Sequence, residues 1–457
     1  MNLSTLLLER DAAGKPVTVG LIGAGKFGAM FLAQARLMAG LHVVAVADLD
    51  VTRAKSQLAT AGWPAEQFAA GSFDDAMKSR ATHVTDDSDA LIAHDAVEVI
   101  VEATGIPEVG IAHALGAIEH GKHIVMVNVE ADALAGPLLA RKGRAAGVVY
   151  SLAWGDQPAL ICEHVDWARA CGFKVVAAGK GTRYEPRYHQ STPDTLWDIL
   201  DKYLNIADRG SINPKMFNSF IDGTKSGIEM TAVCNATGLE PQDGGLRFPP
   251  ATRFELAEVC KPQSCGGALE KAGVTEVVSS VDRDGRDVPH HLALGTYVVI
   301  EGETDYARRC FSEYAMLPDR SGRFAALYRP IHMIGLELGI SIASVALRGE
   351  PTGAATGFRS DVVATAKRNL KRGEILDGEG GFCVWGRQTP AMRSLDQGLL
   401  PLGLAQNVRL RCDVAAGEPL KWSDVEYDAK GLAVRVRREM EAAFARPNDV
   451  GAARGVS

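Results

Sequence analysis

Residues 17–28 read VTVGLIGAGKFG, and the way this stretch folds settles the architecture of everything before residue 152. The aliphatic and β-branched run 17–22 predicts a buried strand, and the apolar stretch from Phe27 predicts a helix, so the glycines occupy a strand-to-helix turn. In the pattern G-x-G-x-x-G each glycine has its own task. Gly23 permits the tight turn, Gly25 lets backbone approach a pyrophosphate, and Gly28 packs the helix against the strand. Lys26 and Phe27 open the helix, whose N-terminal N–H groups face the negative charge. Twenty residues beyond Gly28 the second predicted strand ends in Asp48, where a carboxylate accepts hydrogen bonds from an adenosine ribose. Dinucleotide binding follows. Asp48 favours NAD(H), because a carboxylate repels a 2′-phosphate, whereas Lys26 and Arg53 lie close enough in sequence to neutralise one. Both NAD(H) and NADP(H) remain open on the residues alone.

Outward from the turn, residues 17–151 alternate short β-branched runs (HVVAVAD, VEVIVEATG, HIVMVN, GVVYS) with helical stretches. Such alternation predicts right-handed βαβ units and a parallel sheet. Gly40, Gly121 and Gly147 follow helical runs, where a left-handed cap suits glycine. The fold class is therefore α/β, with an N-terminal doubly wound parallel sheet of Rossmann type over 15–152. From 153 to 350 one helix (QPALICEHVDWARAC), a strand (FKVVAAG) and apolar runs at 274–281 and 294–301 predict an α+β substrate and dimerisation domain. Further on, Asn369-Leu-Lys-Arg-Gly-Glu-Ile-Leu376 echoes Asp413-Val-Ala-Ala-Gly-Glu-Pro-Leu420, 44 residues later. Two matching turns predict a small pseudo-symmetric β domain over 358–430. A helix and a frayed tail complete 431–457.

Composition bounds the function. With 457 residues, 46 % hydrophobic and 23 % charged, the chain is a globular protein of about three domains. The net charge of −7 opposes a nucleic-acid footprint, so an anionic ligand needs a local basic cluster. No apolar run reaches the roughly 18–20 residues of a membrane span. Eight cysteines with no CxxC pair read as buried thiols of a reducing cytoplasm. The expected partners are a small-molecule substrate and further copies of the chain in a homo-oligomer, with no nucleic acid and no membrane.

Carboxyl ends of parallel strands near the switch point are where a nicotinamide sits, which makes Thr104, Gly105 and Asn128 candidate ring and ribose contacts. Loop and N-cap chemistry alone also explains them. Glu130 follows the fifth strand. Asp156, before Gln157-Pro158, either caps the next helix or holds a substrate hydroxyl. Hydride transfer to a carbonyl needs a proton donor, and an anionic substrate needs cations. Lys180, in AAGKG, and Lys225, in DGTKSGIE with Glu229, are flanked by glycines and read as loop residues near a ligand. Arg329 and His332, in RPIHMIGLE, are further candidate substrate contacts, against the alternative of an ordinary buried polar set.

The stretches VTVGLIGAGKFG, VEATGIPEVG, AIEHGKHIVMVNVEAD, GVVYSLAWGDQP, VVAAGKGT, FIDGTKSGIEM and RPIHMIGLE resemble the homoserine-dehydrogenase-like oxidoreductases with a C-terminal SAF domain, which is similar to a β-clip. Within them the chain resembles the bacterial 1-deoxy-D-xylulose-5-phosphate reductoisomerase-like enzymes, over residues 15–430. The resemblance implies NADP(H), with Gly23, Gly25 and Gly28 at the pyrophosphate, Thr104, Gly105 and Asn128 at the nicotinamide, and Lys180 and Lys225 at the substrate. Two departures stand out: Asn128-Val129 replaces the Asn-Lys pair associated with homoserine dehydrogenases, and Trp154-Gly155 is bulkier than a glycine-rich turn. Reductoisomerisation of a ketose phosphate would use Lys180, Lys225 and Glu130 for acid–base work, Arg329 and His332 for the phosphate, and a divalent metal for the ketose oxygens. Glu130, Asp156 and Glu229 are candidate metal ligands, although no spacing among them is diagnostic. The alternatives are a simple dehydrogenase of a hydroxy acid or sugar acid and a non-catalytic NAD(P) sensor. Replacing Gly25 by Val is expected to abolish cofactor binding while leaving the fold intact. Normal cofactor affinity in a Gly25→Val titration would refute the assignment of this turn.

Overall fold

In the computed structural model residues 2–201 and 213–445 are described; of the helix and tail expected over 431–457, residues 446–457 lie outside them. By packing the chain divides into two units.

The first unit contains the described part of Met1–Asp132, together with Leu139–Trp167 and Arg329–Thr356. Six strands form its sheet: β1 (Val17–Ile22), β2 (Leu41–Ala47), β3 (His83–Thr85), β4 (Val99–Glu102), β5 (His123–Met126) and β6 (Tyr150–Leu152). Their spatial order is β3-β2-β1-β4-β5-β6, and all neighbours pair in parallel. Both faces carry helices, which is why β1 is buried at all six positions and reads as an unbroken hydrophobic run. Order reverses between β1 and β4, and the crevice at that point lies beyond the carboxyl ends of the strands. The interior gathers Val19, Leu21, Phe31, Val99, Val101 and Val125 with Leu338, Ile342 and Val345. Those last three lie in or beside the helix Gly339–Arg348, nearly two hundred residues beyond β6. This unit thus crosses the linear limits read from sequence (15–152, 153–350, 358–430). We propose those limits as divisions of sequence rather than of packing.

The second unit contains Ala133–Leu138, Ala168–Tyr328 and the described part of Gly357–Ser457. Its four-stranded sheet runs β10-β9-β7-β8, from β7 (Lys174–Thr182), β8 (Val274–Ser279), β9 (Thr296–Glu301) and β10 (Phe324–Arg329). Strands β7 and β8 are parallel, β7 and β9 antiparallel. The helix Thr224–Thr237 is buried from Ser226 to Asn235. Beyond residue 357 come β11 (Ser360–Ala366) against β13 (Val384–Pro390), and β12 (Ile375–Asp377), β14 (Gln406–Leu410) and β15 (Val425–Glu426) in a second small sheet.

The echoed turns meet face to face. Leu370 and Val414 exchange both backbone hydrogen bonds, at 2.8 and 3.0 Å. The Asn369 side chain accepts from Ala416 N–H at 2.9 Å while the Asp413 side chain accepts from Arg372 N–H at 2.9 Å. Gly373 and Gly417 both have positive φ, 88° and 82°, which the turn requires and glycine supplies. The 44-residue echo is therefore a structural pseudo-dyad. The helix Leu432–Phe444 ties this part down through Arg437, fully buried, whose guanidinium meets both Asp361 carboxylate oxygens at 3.1 and 2.6 Å and donates to Leu134 O at 3.3 Å. Among the described residues no helix is long and apolar enough to cross a membrane.

In the first unit a carboxyl lies in the core. Asp132, in the first turn of the helix Val129–Ala145, accepts a hydrogen bond from the Tyr150 hydroxyl at 2.9 Å. Burial pushes this carboxyl up to about 7, with the Tyr150 hydrogen bond working the other way. The native state thus keeps a proton that the unfolded chain releases above its ordinary 3.8, so stability falls as pH rises from there to about 7 and is level beyond. Asp132→Asn is expected to lessen the fall in melting temperature between pH 5 and 8 and to raise that temperature at pH 8, leaving the part due to Glu276, whose carboxyl burial also pushes up to about 7. An unchanged slope would show that Asp132 ionises normally.

Candidate functional site

The dinucleotide turn is built by close approach. Gly23 has φ 98°, and a Cβ there would lie 2.7 Å from Ala103 O; a Cβ on Gly28 would lie 2.4 Å from Gly23 O. At Gly25 a Cβ meets nothing within 4 Å, so this is the point of the turn left open to a ligand. Gly25 is also the N-cap of the helix Lys26–Ala35, with no side-chain cap, which leaves its first-turn N–H groups to an anion. Lys26 is exposed in that turn, while Phe27 packs against the unit's core. Asp48, buried at the end of β2, accepts from Ala24 N–H at 2.8 Å and Asp50 N–H at 2.9 Å, and Arg53 Nη2 reaches both its oxygens at 2.7 and 3.0 Å. Burial raises the Asp48 carboxyl, but these hydrogen bonds and the Arg53 charge outweigh it and hold the group below its ordinary value. The residues present therefore fit a nicotinamide dinucleotide. Arg53 is not an idle surface group: it is ion-paired with Asp48.

At the end of β4, Thr104 and Gly105 form the next turn of the crevice. Gly105 has φ 70° and open space around it. Glu102, fully buried, accepts from Thr104 N–H at 3.2 Å, from the Thr104 hydroxyl, and contacts His113 Nδ1 at 3.4 Å. Sequence reasoning passed over Glu102, although a carboxylate at the carboxyl end of a central parallel strand is itself a signal. Asn128 caps the helix Val129–Ala145: its Oδ1 accepts from Ala131 N–H at 3.1 Å and its Nδ2 donates to Ile106 O at 2.9 Å. At 1 % exposure it fastens the Thr104 loop. Glu130 is half-buried in the same first turn. Asp156 is buried and its Oδ1 accepts from Gln157 N–H at 2.9 Å, so it serves the start of the helix Gln157–Ala170. Arg329 is ion-paired with Glu337 and half-buried, and His332 is half-buried in the same segment. Around them burial, aided by the Arg329 charge, lowers His164 to about 4.

In the second unit the lysines are not loop residues. Lys180 sits in β7 itself, opposite Thr296 of β9. Its flanking glycines answer to packing: a Cβ on Gly179 would lie 1.8 Å from Glu276 O, and one on Gly181 1.5 Å from Leu292 O. Lys180 pairs with Glu229, both buried, and Glu229 is thereby engaged by a cation. Lys225 lies in the first turn of the helix Thr224–Thr237, four residues before Glu229 and so on the same helical face. Gly223 begins that helix at φ 88°. Asp222 just before it is fully buried; its Oδ1 accepts from Thr224 N–H at 2.9 Å, and its Oδ2 faces Lys367 Nζ at 2.7 Å. Neither Asp222 nor Lys367 stood out in the sequence. Among the described residues no three His, Cys, Asp or Glu side chains gather where they could hold a metal ion, and Glu130, Asp156 and Glu229 form no such group.

Three family models match the chain in succession: "Homoserine dehydrogenase, NAD binding domain" over 19–150, "Oxidoreductase DRL, catalytic domain" over 155–338 and "SAF domain" over 361–426. No curated protein matches it. Among solved structures it is similar to DOX-P reductoisomerase in complex with magnesium, at 14 % identity and TM-score 0.34, over 50 % of this chain and 58 % of that one. The chain thus spans little more than half the length of that relative. It is also similar to a probable dehydrogenase from Thermotoga maritima, at 12 % identity and TM-score 0.37, over 73 % and 90 %. A third is myo-inositol dehydrogenase from Lactobacillus casei in complex with NAD(H) and myo-inositol, at 16 % identity and TM-score 0.35, over 63 % and 72 %. With its glycine turn and Asp48, the chain carries in succession a homoserine-dehydrogenase-type NAD-binding domain, an oxidoreductase DRL catalytic domain and a C-terminal SAF domain.

Proposed function

We propose that the chain is an NADPH-dependent reductoisomerase of 1-deoxy-D-xylulose 5-phosphate or a related sugar phosphate. The observation that carries this reading is the buried Lys180–Glu229 pair with Lys225 on the same helical face, inside the segment that matches the oxidoreductase DRL catalytic domain. Gly25 and the start of the helix Lys26–Ala35 hold the pyrophosphate, Asp48 a ribose hydroxyl, and Arg53, whose side chain is 55 % exposed, a 2′-phosphate. The nicotinamide, when bound, supplies the hydride. Lys225 takes the hydroxyl proton whose loss starts the rearrangement, and Lys180 Nζ protonates the alkoxide left by reduction, with Glu229 orienting it. Glu130 shares the acid–base work, Asp156 holds a substrate hydroxyl, and Glu229, Arg329 and His332 are proposed substrate contacts, Arg329 and His332 for the phosphate. Asn128 and Glu102 set the Thr104–Gly105 loop and are positioning residues.

A second reading, plain oxidation of a hydroxy acid or sugar acid, draws on the donor set: the described side chains do not converge on a metal that would polarise two ketose oxygens. A nicotinamide-absorbance assay with sugar phosphates and hydroxy acids separates the two. Turnover of hydroxy acids alone would replace the first reading by the second, and tight cofactor binding without any turnover would leave a sensor. On a confirmed substrate, Lys225→Met is expected to lower kcat by about 10²- to 10⁴-fold with cofactor affinity unchanged. Lys180→Met alone leaves Glu229 buried and unpaired, at a cost of about 3–5 kcal/mol. The double change Lys180→Met/Glu229→Leu is therefore expected to recover stability in urea titration while remaining inactive. Wild-type kinetics in the double variant would place the chemistry elsewhere.

A further inference from the structure

The segment matching the SAF domain supplies one wall of a cavity in the second unit that touches none of Lys180, Lys225 and Glu229. The helix Thr224–Thr237 separates them. A Cβ on Gly227 would lie 2.7 Å from Gly386 O, so that face abuts β13, and at 100° per residue Lys225 and Glu229 both lie about 160° round the helix from it. The cavity, about 230 Å³, is lined in part by Gly223, Gly244, Gly245 and Gly386, which present backbone to it. Its size is below the roughly 300–1,000 Å³ usual for drug-sized ligands and admits a single ring.

The walls are aromatic with one cation. His189 stacks on Trp385 with centroids 3.7 Å apart and planes at 19°, and Phe248 stacks on Tyr184 at 3.9 Å and 18°. Both nitrogens of His189 are engaged, Nε2 with the Tyr184 hydroxyl at 2.9 Å and Nδ1 with Asp222 O at 2.7 Å. Burial lowers this imidazole to about 4, so at neutral pH it offers a flat face rather than a charge. Arg387, half-buried, donates from Nη2 to Gly244 O at 3.0 Å and has no carboxylate partner among the described residues. Aromatic side chains and a guanidinium without a carboxylate partner among the described residues together select a flat ring that bears an anionic group.

We infer that this cavity binds a small flat organic anion, one unsaturated ring with one carboxylate, at a site separate from the Lys180–Glu229 pair. The inference does not depend on which substrate is reduced. Occupancy would bear on the start of the helix that carries Lys225, because Gly223 lines the cavity and Gly386 N–H donates to Thr224 Oγ1 at 2.8 Å.

Calorimetric titration of the full chain with 4-hydroxybenzoate tests it. The expected result is one saturable site, weakened about 10- to 100-fold by Arg387→Met through loss of a charge-assisted contact. Trp385→Ala gives an independent variant: it removes the ring that stacks on His189 and is expected to weaken binding with Arg387 intact. Lys225→Met is expected to keep the affinity within about threefold, because Lys225 does not line the cavity. Absence of saturable binding, native affinity in both folded variants, equal affinity for inorganic phosphate, or loss of binding in Lys225→Met would each overturn the assignment.

Discussion

Two backbones in the nucleotide-binding unit approach so closely that only hydrogen fits between them. A methyl group on residue 23 would sit 2.7 Å from the Ala103 carbonyl, and one on residue 28 would sit 2.4 Å from the Gly23 carbonyl. This contact brings the β1 turn against the end of β4, at the point where strand order reverses. The rest of the cradle depends on it. With the turn held there, Ala24 N–H points at Asp48, which in turn gathers Asp50 and Arg53. On the other side of the contact, Ala103 leads from Glu102 to Thr104, whose N–H and hydroxyl are both drawn to the Glu102 carboxylate. Small residues thereby create a polar crevice whose two lips are each organised by one buried carboxylate.

The second unit uses buried charge in place of close backbone approach. Lys180–Glu229, Lys367–Asp222 and Arg437–Asp361 are all ion pairs with both partners buried. Burying ions costs several kcal/mol each, so such pairs are weak sources of stability and strong sources of register, since each charge tolerates only its partner. Lys367–Asp222 illustrates the consequence. The lysine follows β11, in the segment that matches the SAF domain, and it secures the residue just before the helix carrying Lys225 and Glu229. The segment that matches the SAF domain thus helps to determine where the proposed proton-handling groups stand.

That same segment is itself a duplication. Leu370 and Val414 exchange hydrogen bonds, and Asn369 and Asp413 cap each other's turns, so one turn design is used twice around a pseudo-dyad. The symmetry ends where the chain meets its neighbours, because Trp385, Gly386 and Arg387 face residues outside the duplication.

Read on its own, the sequence determined what local rules encode. The parallel α/β order, the three glycine tasks, Asp48 at the tip of β2 and the 44-residue echo each follow from periodicity or turn chemistry acting over a few tens of residues. The tertiary structure alone decided what depends on distant atoms. The glycines beside Lys180 looked like a ligand-facing loop because a sequence shows that a side chain is absent, not what occupies its place; the occupants are the carbonyls of Glu276 and Leu292, about a hundred residues away. Lys225, in its glycine-flanked run, proved to start a helix for a related reason, since Gly223 is a positive-φ cap whose conformation is set by the contacts on either side. Helix 339–348 joined the nucleotide unit because its apolar face fits that core, and amphipathic pattern names a face without naming its partner. Asp222, Lys367 and Glu102 were invisible for the same reason: a buried charge is recognisable only once the opposite charge or hydrogen-bond donor beside it is known.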